Sequence, residues 1–225
     1  MEREPRLRRA TAGDAAAIAA IQVETWRAAY AHAFPPEYLE GLSVADRRVL
    51  WTRTLSDGTF DVFVAELGGH VAGFVSSGPA EDKTAPGELF ALYVAPSDWG
   101  KGAGRTLLER AETALRDAGF DTAVLWVLKD NPRARRLYEA AGWRADGGRK
   151  RLTEGRGDAV AIRYRKPIAA SPSSQSRYAR PVEPLDLDQG VARAMPTQRT
   201  AGLRPGVRPT PAWLPRDREP TLTPQ

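Results

Sequence analysis

The stretch of sequence that decides the fold runs from Glu88 to Arg110 and reads ELFALYVAPSDWGKGAGRTLLER. Its first residues are mostly apolar, as expected for a long strand, and the glycine-rich loop Gly100–Gly104 follows almost directly. Leucine and alanine then recur at intervals of three and four residues, which predicts a helix from Gly102 to Ala118. The segment therefore predicts a strand, a tight glycine loop and a helix in immediate succession.

The glycine loop has the properties of an anion-binding site. Three glycines within five residues let the backbone turn tightly and direct several N–H groups to one point. The first turn of the following helix adds unsatisfied N–H donors and a partial positive charge. These features suit a phosphate or pyrophosphate group. The alternative is a tight strand-to-helix turn that binds nothing.

Two other kinds of phosphate loop fit this segment less well. A nucleoside triphosphatase loop requires the pattern G-x-x-x-x-G-K-[ST], which Gly100–Thr106 does not supply. A dinucleotide-binding fold stays open as an interpretation, because Asp130 follows the next strand, where a ribose ligand would lie. In such a fold the loop comes near the start of a doubly wound sheet, whereas here a hairpin precedes it. The topology therefore disfavours a dinucleotide site.

The elements on either side of the loop alternate between helices and strands. Before it, the sequence predicts a strand at Arg6–Arg9, a helix from Ala15 to about Ala31 capped by Asp14, a helix from Ser43 to about Leu55, and two strands at Phe60–Leu67 and Val71–Ser77. Gly68-Gly69-His70 between these strands is typical of an antiparallel hairpin. After the loop, it predicts a strand at Ala123–Leu128, a helix at Pro132–Ala141 and strands at Trp143–Leu152 and Ala159–Lys166. The order predicts an α/β fold with a mixed, mostly antiparallel sheet, helices on its flanks and one central crossover.

The composition changes after Lys166-Pro167, where we place the domain boundary. Ten of the 18 prolines lie in 168–225, and few large apolar residues remain there to offset the entropy cost of ordering the chain. We therefore predict one folded domain, 1–167, and a disordered tail rich in proline and arginine, 168–225. A role of the tail in binding a partner is the alternative to a merely solvated extension.

The charge and the composition exclude several classes of protein. The net charge is +5, but the tail holds eight arginines and five acids, which leaves 25 basic and 23 acidic groups in 1–167. This near-neutral domain argues against a nucleic-acid partner. The chain has no cysteine, no apolar run that could span a bilayer and no apolar N-terminal signal. We expect a cytoplasmic protein with no membrane partner and no cysteine-bound metal.

Two motifs resemble those of the GNAT superfamily, the Gcn5-related N-acetyltransferases. Trp99-Gly-Lys-Gly-Ala-Gly104 is similar to the family's acyl-CoA loop, [QR]-x-x-G-x-[GA], and departs from it at Trp99, where the family has glutamine or arginine. Asn131-Pro-Arg-Ala-Arg-Arg-Leu-Tyr-Glu-Ala-Ala-Gly-Trp143 resembles the segment N-x-x-A-x-x-L-Y-x-x-x-G-[FW]. The resemblance covers about residues 6–166. It implies the family's fold, with acetyl-CoA as the acetyl donor and no metal.

The resemblance also implies which residues bind the cofactor. Backbone groups of Leu92, Tyr93 and Val94 are expected to pair with the pantetheine arm. The loop is expected to hold the pyrophosphate, and its residues are Trp99, Gly100, Lys101, Gly102, Ala103, Gly104 and Arg105. Asn131 is expected to contact the cofactor near the start of its helix. Tyr138 lies two helical turns further on the same face, which puts its hydroxyl within reach of the cofactor's sulfur.

Transfer of an acetyl group to an amine needs a base, an oxyanion donor and an acid. Tyr138 is the candidate acid for the thiolate leaving group, since a phenol has a pKa of about 10; the alternative is a core aromatic residue. A strand N–H beside Val94 is the candidate oxyanion donor. Glu88 is the candidate base, because a period of two places it on one strand face with Phe90, Leu92 and Val94. An exposed glutamate at a strand end is the alternative.

The acceptor amine is expected beside the first helix. Trp26 and Tyr30 are i, i+4 neighbours that could form one wall of a pocket, although both could equally be core residues. His32 and His70, the two histidines, are weaker catalytic candidates because a loop and a hairpin turn are predicted there.

The predicted function is transfer of an acetyl group from acetyl-CoA to a primary amine of a small molecule or protein. The alternatives are a non-catalytic acyl-CoA sensor or interaction protein, and a nucleotide-binding oxidoreductase. The sequence does not decide between a monomer and a homodimer.

Overall fold

The computed structural model of the chain describes residues 4–80, 87–152 and 159–168. Its strands are β1 (Arg6–Arg9), β2 (Asp61–Leu67), β3 (His70–Pro79), β4 (Gly87–Val94), β5 (Thr122–Leu128), β6 (Arg144–Leu152) and β7 (Ala159–Pro167). Its helices are α1 (Ala15–Ala29), α2 (Pro36–Glu40), α3 (Val44–Asp57), α4 (Ala103–Asp117) and α5 (Pro132–Ala140). The predicted α/β fold with one central crossover is confirmed.

All seven strands form one sheet in the order β1-β2-β3-β4-β5-β7-β6. Five of the six neighbouring pairs among the described strands are antiparallel: β1 with β2, β2 with β3, β3 with β4, β5 with β7, and β7 with β6. The central pair, β4 with β5, is parallel and spans only three rows, from Gly87 opposite Ala123 to Leu89 opposite Leu125. Beyond these rows the two strands part, so the middle of the sheet opens toward the ends of β4 and β5.

Helices cover both faces of the sheet. On the α4 face, α4 and α5 pack over a core that includes Leu89, Val94, Leu107 and Tyr138. On the α1 face, α1 and α3 pack over Phe74, Ala91 and Tyr93, together with other side chains of that core. The alternating burial follows from the pleat of the strands, which turns successive side chains to opposite faces.

Local sequence signals explain most of the element boundaries. Gly68 and Gly69 have φ of 57° and 89°, the left-handed conformation that a two-residue hairpin turn requires, and β2 pairs antiparallel with β3 as predicted. The Ser43 hydroxyl accepts a hydrogen bond from the Asp46 N–H at 3.1 Å, so Ser43 caps α3 as expected.

The prediction for Asp14 was wrong in its detail. Asp14 precedes α1, but its side chain makes no capping bond to that helix. Its carboxylate instead accepts hydrogen bonds from the Arg8 guanidinium at 2.7 Å and from the Thr11 N–H at 2.7 Å. The bonds from Arg8 outweigh the effect of burial and lower the pKa of Asp14 to about 2. Asp14 therefore ties the start of α1 to β1.

Two further differences concern the ends of elements. The short helix α2, which the sequence analysis did not predict, begins at Pro36, because proline suits the first turn of a helix. Ile168, the first residue of the predicted tail, is buried, and its N–H donates to the Asp121 carbonyl at 2.7 Å. The rest of that tail lies outside the described residues.

Candidate active site

The parting of β4 and β5 opens a cavity of about 650 Å³ in the sheet. Its walls are the ends of both strands, the glycine loop, the C-terminal part of α1 and the N-terminal part of α5. In the paired rows each strand satisfies the other's backbone groups, whereas past Leu89 and Leu125 no ladder joins β4 to β5. The facing edges of the strands therefore become available to a ligand that lies between them.

The glycine loop forms one end of this cavity. Gly100 and Gly102 have φ of 84° and 87°, which side chains rarely adopt, and a Cβ added to either would meet nothing within 4 Å. Their backbone therefore faces open space. Gly102 is also the residue before α4, so the first N–H groups of that helix point toward the same end. The loop therefore has the open backbone and the adjoining helix start that the predicted anion site requires.

Side-chain contacts to the Asp98 carboxylate hold the glycine loop in place. Asp98 is buried, and its carboxylate lies 2.9 Å from His70 Nε2 and 3.0 Å from Lys101 Nζ. Burial alone would raise the pKa of Asp98, but the hydrogen bonds from His70 and Lys101 outweigh it and lower that pKa. Lys101 and His70 are thus engaged in supporting the loop.

Trp99 has two contacts at the base of the loop. Its Nε1–H donates to the Val94 carbonyl at 2.8 Å, and the Arg133 guanidinium lies over its ring, with Cζ 4.2 Å from the ring centre. The Val94 carbonyl also accepts from the Thr25 hydroxyl at 3.1 Å. The Val94 carbonyl, one of the groups expected to pair with the pantetheine arm, therefore already accepts two hydrogen bonds from side chains of the protein. Leu92, Tyr93 and Val94 all line the cavity.

Asn131 and Tyr138 both line the cavity from the α5 side. Asn131 caps α5, since its Oδ1 accepts from the Ala134 N–H at 3.0 Å. Tyr138 is buried, and burial is the main reason that its pKa is raised, with the nearby Tyr93 hydroxyl adding to the effect. The phenol therefore keeps its proton throughout the neutral range. The sequence prediction that these two residues share a face holds in the structure.

Glu88 lies elsewhere than its strand period predicted. Ser76 pairs with Ala91 and Ser77 pairs with Leu89, so Phe90 is an extra residue in β4 with no partner in the β3 register. This β-bulge reverses which face of the sheet the alternate side chains of β4 occupy. Glu88 pairs with Gly78, whose Cβ would touch the Phe60 ring at 2.9 Å, so both belong to the α1 face.

Leu92 and Val94, by contrast, pack on the α4 face. The expectation that Glu88 shares a face with them was wrong, because the period of two does not continue through a bulge. Glu88 is buried, not exposed, and it is not among the residues that line the cavity.

Trp26 and Tyr30 line the cavity from the C-terminal end of α1. Their rings meet edge to face with centres 5.1 Å apart, and the Trp26 Nε1–H donates to the Tyr93 hydroxyl at 3.0 Å. Burial is the main cause of a raised pKa at Tyr30, which the Asn131 side chain partly offsets. These residues serve both the core and the cavity wall, so both interpretations of them hold.

The structure adds two residues that the sequence did not indicate, Trp126 and Arg133. Trp126, in a strand predicted only as apolar, lines the cavity with the Lys150 ammonium 4.0 Å from its ring centre. Arg133 lines the mouth near the loop. His32 also lines the cavity, and its Nε2 lies 3.0 Å from the Asp130 carbonyl. Asp130 is thus held at the β5–α5 turn.

Comparisons with known proteins agree with this geometry. The family model described as the acetyltransferase (GNAT) family matches residues 17–143. This chain belongs to the GNAT acetyltransferase family. The predicted family and the predicted class of enzyme, an N-acetyltransferase, are both confirmed.

Individual GNAT proteins are similar over most of the described chain. The uncharacterized N-acetyltransferase YuaI of Bacillus subtilis is 35% identical over 129 residues, 56% of this chain and 73% of that protein. The structure of a ribosomal-protein-alanine N-acetyltransferase from Brucella melitensis has a TM-score of 0.58 at 25% identity, covering 72% of this chain and 99% of that one. The structure of yncA from Salmonella typhimurium, solved with its cofactor acetyl-CoA, has a TM-score of 0.59 at 22% identity, covering 77% and 99%.

Two features are absent from the part of the chain that the structure describes. Among residues 4–80, 87–152 and 159–168, no three histidine or acidic side chains are grouped to hold a metal ion. Within the same ranges, no helix has the length and apolar character needed to cross a bilayer.

Proposed function

We propose that this GNAT protein transfers the acetyl group of acetyl-CoA to a primary amine of a small molecule or protein, by direct attack in a ternary complex. The observation that carries the proposal is the parting of β4 and β5 beside a glycine loop in the left-handed conformation. A slot between two strand edges suits an extended pantetheine arm, and the loop at its end suits the pyrophosphate. The acetyl-CoA in the similar yncA structure supports the same donor.

The proposed cofactor contacts divide between backbone and side chains. Leu92 and Tyr93 offer backbone groups to the pantetheine arm along the open edge of β4. The amides of Gly100–Arg105 hold the pyrophosphate, and Trp99 and Lys101 fix the loop in place through Val94 and Asp98. Asn131 contacts the arm from the start of α5, which directs the thioester toward Tyr138.

The reaction proceeds in three linked steps. A base first removes a proton from the acceptor ammonium, and the neutral nitrogen then attacks the thioester carbonyl carbon. The developing oxyanion accepts a hydrogen bond from a backbone N–H in the open part of β4, near Val94. As the carbon–sulfur bond breaks, the thiolate takes a proton from the Tyr138 hydroxyl, which buffer protons restore.

Glu88 is the proposed base, and its place on the α1 face is the side of the sheet from which Trp26 and Tyr30 reach the cavity. Because Glu88 does not line the cavity, the proton must reach it through water or neighbouring groups. The bulge at Phe90 supports this route, since it locally interrupts the β3–β4 ladder beside Glu88.

The acceptor is expected at the end of the cavity formed by Trp26, Tyr30, Tyr93 and Trp126. The acidic side chains among the described lining residues are Asp98, which is paired with Lys101 of the loop, and Asp130, whose carbonyl lies 3.0 Å from His32 Nε2. The aromatic walls themselves carry no acidic side chain in the described part of the chain. We expect an acceptor with a single amine on an apolar body.

Calorimetric titration of the full chain with acetyl-CoA tests the proposal, with NADH as the control ligand. Binding of acetyl-CoA alone, followed by release of CoA when a panel of aromatic and aliphatic amines is added, is the expected result. Gly102→Val should abolish binding because φ of 87° excludes a branched side chain. Binding of acetyl-CoA without turnover on any amine would favour a non-catalytic sensor, and no binding would refute the proposal.

A further inference from the structure

The cavity mouth next to the glycine loop carries several cations, and Arg133 differs from the others. Lys101, Arg105 and Arg136 are each engaged with the protein: Lys101 with Asp98 at 3.0 Å, Arg105 with Glu109 at 2.9 Å, and Arg136 with the Pro132 carbonyl at 3.2 Å. Arg133 is exposed and makes no hydrogen bond or ion pair with the described part of the chain. Its one specific contact is the ring of Trp99.

This contact fixes the guanidinium without using its hydrogen-bond donors. The guanidinium lies over the indole, with Cζ 4.2 Å from the ring centre, within the range of a cation–π contact. A cation–π contact uses the charge of the guanidinium and not its N–H donors, and these donors make no hydrogen bond with the described part of the chain. Arg133 is therefore held in place with its donors available to a ligand.

Trp99 is well suited to hold a side chain in position. Its Nε1–H donates to the Val94 carbonyl at 2.8 Å, and its ring packs against the α4-face core. The ring thus bridges the end of β4, the start of the glycine loop and the N-terminal turn of α5. A glutamine or arginine at this position would offer a polar group of its own but no flat ring.

The charge at the mouth points to an anionic ligand. Arg133 and Arg136 both line the cavity at the start of α5 with no acidic partner among the described residues, whereas Arg105 is paired with Glu109. Like charges in one region repel each other unless an anion lies between them. Guanidinium groups bind phosphate oxygens through paired N–H donors, and such charge-assisted bonds are among the stronger ones in proteins.

We propose that Trp99 positions Arg133 to bind a phosphate group of the cofactor, so that two residues together supply a contact beyond the glycine-loop amides. The inference rests on the proposed function, since it requires a CoA-type ligand. Arg133 is the binding residue, and Trp99 acts through it as a positioning residue. CoA offers two sources of this chemistry, the pyrophosphate and the phosphate on the ribose.

The test is calorimetric titration of the full chain with CoA, 3′-dephospho-CoA and 4′-phosphopantetheine. Arg133→Ala should weaken CoA binding about 10- to 100-fold, as expected for loss of a charge-assisted hydrogen bond. Arg110→Ala is the matched control, because Arg110 also stacks on a ring, that of Phe63 at 4.0 Å, but does not line the cavity. Its affinity for CoA should stay within about twofold of the wild type.

The three ligands distinguish the two phosphates. If Arg133 binds the ribose phosphate, the loss caused by Arg133→Ala disappears with 3′-dephospho-CoA. If it binds the pyrophosphate, the same loss persists with 3′-dephospho-CoA and shrinks with 4′-phosphopantetheine, which lacks the second phosphate. Either outcome supports the proposal.

Trp99 is tested by a double-mutant cycle with Arg133. Trp99→Leu should weaken CoA binding in the wild type and weaken it much less in the Arg133→Ala background, with both variants checked for folding by thermal melting. Arg133→Ala should also reduce the salt dependence of CoA binding, which a purely structural role would leave unchanged. If the wild type binds CoA and Arg133→Ala binds it with the same affinity, this inference alone is overturned. If the wild type does not bind CoA, the proposed function is overturned as well.

Discussion

The two ends of strands β4 and β5 have similar apolar residues but different pairing. At one end, Gly87–Leu89 and Ala123–Leu125 pair in a parallel ladder, and their side chains are buried in the two cores. At the other end, Leu92–Val94 and Trp126–Leu128 have no ladder between them and line a cavity. The paired end holds the sheet together, and the parted end provides the site.

The comparison shows how a fold provides a site without giving up its core. The parted strands keep their outer neighbours, since β4 still pairs with β3 as far as Val94, and β5 pairs with β7 as far as Leu128. Only the inner edges lose their partner. Backbone groups there depend on a ligand or on single contacts, such as the bonds to the Val94 carbonyl. We therefore expect changes at the paired end to alter stability and changes at the parted end to alter activity.

The largest expected effect is on stability, at the paired end. Leu125 is 1% exposed, and truncation of a buried leucine leaves a cavity, so Leu125→Ala should lower the free energy of unfolding by about 2–5 kcal/mol. Denaturant unfolding followed by tryptophan fluorescence measures this change. The folded variant should bind acetyl-CoA as the wild type does.

Trp126→Ala is the matched control for Leu125→Ala, since it changes the next residue of the same strand, on the opposite face and in the cavity wall. It should lose turnover more than stability. If Leu125→Ala instead left stability unchanged and abolished binding, the division between the two ends would be refuted.

A large effect on activity is expected at the parted end. Tyr138→Phe should lower turnover about 10- to 1,000-fold, as for loss of a general acid, while the affinity for acetyl-CoA changes little. Stability should be nearly unchanged, because the Tyr138 ring keeps its packing against Trp143 and its hydroxyl makes no hydrogen bond with the described residues. Steady-state release of CoA and denaturant unfolding measure the two properties. Full turnover in this variant would remove Tyr138 from the mechanism.

The sequence predicted the elements around the site better than the contacts within it. The glycines at 68 and 69, the cap at Ser43 and the apolar strand Ala123–Leu125 act through neighbours in the chain, so local pattern was sufficient to place them. The glycine loop was also predictable, since its left-handed residues require glycine.

What local pattern could not show were features that depend on two distant segments. The bulge at Phe90 arises from the register of β4 against β3, and it moved Glu88 to the other face from Leu92. The contact of Arg133 with Trp99 likewise joins residues from different elements. The motif positions of Asn131 and Tyr138 were available only through resemblance to a family, because spacing alone also fits a core helix.

A smaller effect on turnover is expected for Glu88, which lies in the paired rows but is the proposed base, and so is an exception to this division. Glu88→Gln should lower turnover about tenfold near neutral pH and flatten the rising limb of the pH–rate profile, because the base must be deprotonated to act. Glu24→Gln is the control, since Glu24 is exposed on α1 and does not line the cavity. A rising limb unchanged in Glu88→Gln would assign the base to another group.

The smallest expected effect concerns the pH–rate profile, in which turnover should not fall at alkaline pH. Burial, and secondarily Tyr93, raise the pKa of Tyr138 above the ordinary value of about 10. A group with a raised pKa keeps its proton to higher pH, so the acid form persists where a solvated phenol would begin to ionise. Turnover measured with a weakly basic amine should therefore stay level from about pH 8 to pH 10. If turnover instead declines in that range in the wild type but not in Tyr138→Phe, Tyr138 titrates as a solvated phenol. The parted end of the sheet would then be far more open to water than its buried tyrosines indicate.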